Sequence, residues 1–293
     1  MNGGGFLRLG SSGSHTSIAP APSGFLPTTR RGLRHVEDVM GLPWMFDICD
    51  EAVTPLALRE IVSWLHWVDH TFSPYRADSQ VSRLNRGELA AQRVHPDVRA
   101  ALDRCEELKR ETGGYFDIGA TYRTRTGPAD GYGGEGSVDP SGYVKGWAIA
   151  GAAERLRAVG AENFSVNAGG DALLCGHPDG DLRWRVGIQH PRSPSDIAMT
   201  LGLRNMAIAT SGTYVRGQHI IDPIGGGPPV GLLSVTIVGP DIATADAYAT
   251  AAFAMGATRA AQFCAGLDEY HAVLIRDDDT VVTTPGIDWL RRA

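Results

Sequence analysis

The chain has 293 residues, 43% of them hydrophobic and 20% charged, which is ordinary for a globular protein long enough to build a core without staples. A formal net charge of −6 with no offsetting basic run argues against a protein that holds nucleic acid by neutralising phosphates. No apolar stretch approaches the roughly 18 residues of a membrane helix. The four cysteines (Cys49, Cys105, Cys175, Cys264) lie far apart without a CxxC pair, as buried free thiols of a reducing compartment do.

Residues 1–34 are rich in Gly, Ser, Pro and Thr, with Arg30, Arg31 and Arg34 near the end. A secretory signal would put its charge first and an apolar block after it, so this segment is expected to be a disordered tail and the protein cytoplasmic. Residues 35–293 are expected to form one domain. Thr54, Pro55 and the helical spacing of Leu58, Ile61, Val62, Leu65 and Val68 predict a helix over 53–70. A polar loop from Ser73 to Ser79 leads to a short turn ending at Asn85, and a second helix is predicted from Pro96 to Thr112, stopped by Gly113-Gly114. Residues 113–142 read as a long functional loop, followed by a third helix from Tyr143 to Val159. Strands are then expected at Phe164–Ala168, Trp184–Gln189, Ile197–Leu203, Ala207–Thr210, His219–Asp222 and Leu232–Val238. A helix from Thr244 to Met255 and a strand at Tyr270–Ile275 complete an α+β body, with helices packed on a largely antiparallel sheet.

Four segments carry chemistry. In Asp139-Pro140-Ser141-Gly142-Tyr143-Val144-Lys145-Gly146, a carboxylate, a tight turn and a lysine meet where a loop becomes a helix. Free N–H groups and the positive end of the helix dipole suit a phosphate there, although a lysine one turn into a helix, taken alone, is more often solvated than not. Asp246 and Thr250 lie four apart, hence on one helix face, and offer the hard oxygen donors that magnesium takes. A surface Asp and a capping Thr on an alanine-rich helix are the alternative. Thr210 and Ser211 end an apolar strand, and His219 and Asp222 flank another. His219 is the type of group that takes a proton from an alcohol near neutral pH, or else an ordinary strand histidine. In Asn167-Ala168-Gly169-Gly170-Asp171 a carboxylate follows glycines, which a hairpin turn explains as well.

The order of these segments resembles the FAD:protein FMN transferases of the ApbE family. The resemblance runs through Met40-Gly41, Phe72–Asn85, Gly114–Asp117, Asp139–Gly146, Asn167–Asp171, Ala209–Gly212, His219–Pro223 and Ser234–Gly256, and spans roughly residues 39–275. It implies a T-fold-like α+β body with magnesium as the metal and FAD as the donor substrate. FMN would pass to a Thr or Ser hydroxyl on a flexible segment of an acceptor flavoprotein, releasing AMP. Water as acceptor, giving FAD hydrolysis, and a non-catalytic FAD carrier are the alternatives. Position by position, Asp246 and Thr250 match the metal-ligand side chains, and Gly142 matches the position that lends a backbone carbonyl. Met40, Tyr75, Phe116, Asp117, Asp139 and Lys145 match positions lining the FAD site, and His219 matches the histidine tied to catalysis. Two segments depart from the family pattern: Asp222-Pro223-Ile224-Gly225-Gly226-Gly227-Pro228 lacks the usual threonine, and Ile118-Gly119-Ala120 stands where Pro-Thr is common. The DPSGYVKGWA wording resembles a shorter subgroup of the family.

Overall fold

The computed structural model describes residues 8–9, 24–26, 32–120, 136–178, 180, 182–212 and 220–292. Its frame is a nine-stranded sheet of β2 (Gly24–Leu26), β3 (Leu33–Val39), β4 (Leu42–Ile48), β5 (Phe164–Ala168), β6 (Asp171–Cys175), β9 (Met206–Gly212), β10 (Leu232–Gly239), β11 (His271–Arg276) and β12 (Val281–Thr283). The spatial order is β12-β11-β10-β9-β6-β5-β4-β3-β2, and every neighbouring pair is antiparallel. A three-stranded sheet, β1 (Arg8–Leu9), β7 (Trp184–His190) and β8 (Ser193–Leu203), forms a second layer.

Strand alternation sends side chains to two cores on opposite faces of the large sheet. Leu173, Ile237 and Leu274 enter a core with the helices α1 (Pro55–Phe72), α2 (Gln80–Asn85), α3 (Pro96–Glu111), α4 (Ser141–Ala158) and α5 (Ile242–Ala265). Leu174, Val238 and Val273, one residue along in each strand, instead meet Trp184, Val186 and Leu201 of the small sheet, and Ile287 and Leu290 of α6 (Gly286–Arg292). Helices α1, α3 and α4 form where the sequence predicts them. Thr54 caps α1 by accepting from the Ala57 N–H, and the buried stripe of α1 is Leu58, Ile61, Val62, Leu65, Val68 and Phe72. Asp241 caps α5 in the same way through the Thr244 N–H.

Several expectations are corrected. The folded body does not begin at the first helix: the β3–β4 hairpin precedes it, and the boundary at residue 34 falls inside β3. Arg8–Leu9 and Gly24–Leu26, within the expected tail, pair with β7 and β3, while the rest of residues 1–31 lie outside the described residues. Ile220–Asp222 form no strand, because Asp222 closes its own turn: its carboxylate accepts from the Ile224 and Gly225 N–H groups and its carbonyl from Gly226. The helix expected to stop at Met255 kinks at Gly256, whose φ of 70° and ψ of 170° are not helical, and resumes to Ala265. A strand, β6, follows the Gly169-Gly170 turn, so that motif is a hairpin.

Candidate active site

One cavity of about 210 Å³ opens on the helix-bearing side of the sheet. Met40, Tyr75, Phe116, Asp117, Asp139, Gly142, Lys145, Asp246 and Thr250 all line it, so nine sequence-selected residues from five separate stretches of chain converge there. His219 lies outside the described residues. Gly212 and Ile220, on either side of the undescribed stretch 213–219, both line the cavity.

Local structure explains each placement. Met40 and Gly41 form the two-residue turn of the β3–β4 hairpin, both in the left-handed region at φ 57° and 69°, which tips Met40 over the cavity. Tyr75 stands at the rim, 68% exposed, in the loop after α1. The Asp117 carboxylate folds its own loop by accepting from the Gly119 and Ala120 N–H groups, and pairs with Lys109 at 3.1 Å. Burial pulls that carboxyl upward, but Lys109 and the two N–H groups outweigh it and hold it below the usual range. Asp139 accepts from the Ser141 N–H at 3.1 Å at the start of α4. Its neighbour Val138 is bracketed by Asn85, whose amide donates to the Val138 carbonyl at 2.8 Å and accepts from its N–H at 2.9 Å.

The charged centre lies where α4 crosses α5. Gly146 permits the crossing: a Cβ there would stand 2.7 Å from Ala243 Cα and 2.8 Å from the Ile242 carbonyl oxygen. The Gly146 N–H reaches Asp246 Oδ2 at 3.3 Å, and Lys145 Nζ lies 3.4 Å from Asp246 Oδ1. Lys145 also pairs with Asp171, which the sequence left as part of a turn. The other Asp171 oxygen accepts from the Thr210 N–H at 2.9 Å, so this carboxylate ties β6, β9 and α4 together. Asp171 and Asp246 are 1% and 3% exposed and share one ammonium, which leaves an excess of buried negative charge. Burial pushes the Asp246 carboxyl up to about 7, with Lys145 pulling down against it and Asp171 adding to the rise.

Thr250, one turn further along α5, meets Ser211 of β9 with its hydroxyl at 3.2 Å. A Cβ on Gly142 would lie 3.9 Å from Thr250 Oγ1, so the start of α4 stands against the hydroxyl. Among the described residues no group of three or more His, Cys, Asp or Glu side chains could hold a metal ion. A cation here would therefore rest on one carboxylate, one hydroxyl and a backbone carbonyl, completed by oxygens of its ligand. Those hard donors beside uncompensated negative charge fit a small divalent cation.

The fold is an antiparallel α+β body, and its charged, oxygen-lined cleft lies at the start of one helix and on the face of another. The chain belongs to the ApbE family, whose model matches residues 40–126 and 131–274. It is 31% identical over 157 residues to the FAD:protein FMN transferase of Haemophilus influenzae, covering 50% of this chain and 45% of the relative. The Treponema pallidum FAD:protein FMN transferase is 29% identical over 214 residues, 66% of this chain and 57% of that one. The chain thus spans about half the length of these curated relatives. The structure of flavin transferase ApbE from Vibrio cholerae superposes with a TM-score of 0.76 at 24% identity, covering 92% of this chain and 100% of that one. The ApbE protein of Thermotoga maritima gives 0.76 at 22% identity, with 89% and 99% covered. Both structural likenesses establish the shared fold.

Proposed function

We propose that this protein transfers the FMN half of FAD to a Thr or Ser hydroxyl of an acceptor flavoprotein and releases AMP, acting through one domain that takes in the whole of β3 (Leu33–Val39). The observation that carries the proposal is the convergence of Lys145, Asp246, Thr250 and Gly142 where α4 meets α5, at the floor of a cavity walled by Met40, Phe116 and Asp117. Membership of the ApbE family supports it, as do relatives that bear the name of this activity.

In this reading Met40, Phe116 and Tyr75 contact the flavin side of FAD, and the N–H groups at the start of α4 face its phosphates. Lys145 adds a full positive charge that a developing phosphate oxyanion attracts. Asp246, Thr250 and the Gly142 carbonyl would hold magnesium, which when bound would neutralise charge on the diphosphate and on the departing oxygen. His219 takes the proton of the acceptor hydroxyl as the new oxygen–phosphorus bond forms and the bond to the AMP oxygen breaks. The acceptor must present its hydroxyl on an extended segment, because a rigid surface would not reach the cavity floor.

The experiment is direct. Protein, FAD, Mg²⁺ and a candidate acceptor are incubated and the acceptor is weighed. A mass gain on the acceptor equal to FMN less one water supports transfer. Free FMN and AMP without a gain would mean water is the acceptor, and neither product would mean a flavin carrier. We place the reaction in the cytoplasm, a setting that suits four scattered cysteines without a CxxC pair. No helix among the described residues is long and apolar enough to cross a membrane. Fractionation of cells expressing the gene checks the location, and protein found outside the cytoplasm overturns it.

A further inference from the structure

We propose that Ser211 is a positioning residue for the cation site, acting on Thr250 by accepting its hydroxyl proton and leaving a Thr250 lone pair turned to the cavity. The proposal rests on the cation reading given above.

Ala207, Ala209 and Ser211 point from β9 toward the helix layer, and the first two are wholly buried alanines. Packing against α5 at this face asks only for a small side chain, so the hydroxyl at position 211 is an addition to what packing needs. That hydroxyl is 9% exposed, lines the cavity and lies 3.2 Å from Thr250 Oγ1.

The helix gives the second half. A threonine inside a helix can return its proton to the carbonyl one turn back. Thr112 does so in this protein, donating to the Leu108 carbonyl at 2.8 Å, and Ser63 does the same to Arg59. Thr250 makes no such bond among the described residues; its hydroxyl is turned across to β9 instead. A hydroxyl has one proton and two lone pairs. To ligate a cation it must direct a lone pair at the ion, and its proton must then go to an acceptor on another side. Ser211 Oγ is the acceptor placed there. With the Thr250 proton settled on Ser211, the Ser211 proton is free to face the cavity, where a phosphate oxygen of the substrate would receive it. β9 and α5 are held in fixed relation by the apolar contacts of Ala207 and Ala209, so the Thr250 hydroxyl is oriented before any ligand arrives.

The test uses Mn²⁺ alone as the probe, titrated into the full chain and followed by the loss of its free electron paramagnetic resonance signal, with melting temperatures taken alongside. Ser211→Ala is expected to weaken Mn²⁺ binding by roughly five- to tenfold, the worth of one hydrogen bond. Thr250→Ala is expected to weaken it at least as much, and the double variant no further than Thr250→Ala, because both changes remove the same interaction. Ser211→Thr, which keeps a hydroxyl, is expected to bind like the wild type. Additive losses in the double variant, an unchanged affinity in Ser211→Ala, or a loss in Ser211→Thr equal to that in Ser211→Ala overturns the proposal. The cation reading fails in a different way: the wild type then binds no Mn²⁺, or Asp246→Ala binds it as well as the wild type, and the proposal falls with it.

Discussion

Lys145 stands between two buried carboxylates, and a single ammonium cannot neutralise both. Asp246 is therefore the residue with most to gain from a divalent cation. Asp246→Ala is expected to abolish Mg²⁺-dependent turnover while the protein stays folded, since it removes the only charged ligand of the proposed set. Thr250→Ala is expected to cost less, because a hydroxyl is a neutral donor. Turnover assays across a Mg²⁺ series check both, and full activity in Asp246→Ala would rule the site out. Asp171 makes a separate prediction. Asp171→Asn keeps an acceptor for the Thr210 N–H but removes the charge that holds Lys145. KM for FAD is expected to rise several-fold with the melting temperature little changed, and an unaltered KM would free Lys145 of any dependence on Asp171. The sequence made these residues unequally legible. Asp246 and Thr250 could be paired because a helix relates positions four apart. Asp171 and Ser211 could not, because their partners lie on distant elements and only the sheet order β5-β6-β9 brings them beneath α4 and α5.

Two elements carry most of the site, and what joins them is nearly invisible in one dimension. The α4–α5 crossing depends on Gly146, where any side chain meets backbone atoms of Ala243 and Ile242 that cannot move aside. Gly146→Ala is expected to destabilise the protein by about 1–3 kcal/mol, the range for overpacking, and to weaken FAD binding by spreading the cavity floor. Urea unfolding and flavin fluorescence titration read the two effects, and an unchanged midpoint would show that the helices can part without cost. The bracket from Asn85 to Val138 works at the same scale: it fixes the lead-in to Asp139 and α4 from a helix far away in sequence. Helices α1 and α3 were legible because their apolar residues repeat at helical spacing and their starts carry Thr54 and Pro96, and α4 because the Pro140-Ser141 turn marks its start and Gly160 its end. The β3–β4 hairpin was not, because Leu33-Arg34-His35-Val36-Glu37-Asp38-Val39 mixes charge into both faces of a strand near the sheet edge. The extension of α5 beyond Met255 was hidden by Gly256, which interrupts the helix without ending it.

The whole molecule ties its first strands to its last ones through one sheet, and the cavity draws on residues from Met40 to Ala254. A ligand in that cavity therefore touches α1, α4, α5, β9 and the β3–β4 turn together, and its binding energy is shared by elements that must all be in place to receive it. Anything that binds the folded state alone raises stability by mass action, about 2.7 kcal/mol at a hundredfold excess over Kd. For a chain of this size that is a melting shift on the order of 5 °C or more. Mg²⁺ with FAD is expected to give such a shift in the wild-type protein, larger than either alone, because the phosphates add ligands to those the protein gives the cation and the cation balances the charge of the phosphates. Asp246→Asn separates ligand binding from intrinsic stability. Without ligands it is expected to melt no lower than the wild type, since the substitution relieves a buried carboxylate that burial and Asp171 both disfavour. With Mg²⁺ and FAD its shift should fall to that of FAD alone. Scanning calorimetry on the two proteins with and without each ligand reads every arm. A full Mg²⁺-dependent shift in Asp246→Asn would place the cation elsewhere, and a sharp loss of stability in the ligand-free variant would make Asp246 a structural partner of Lys145 before anything else.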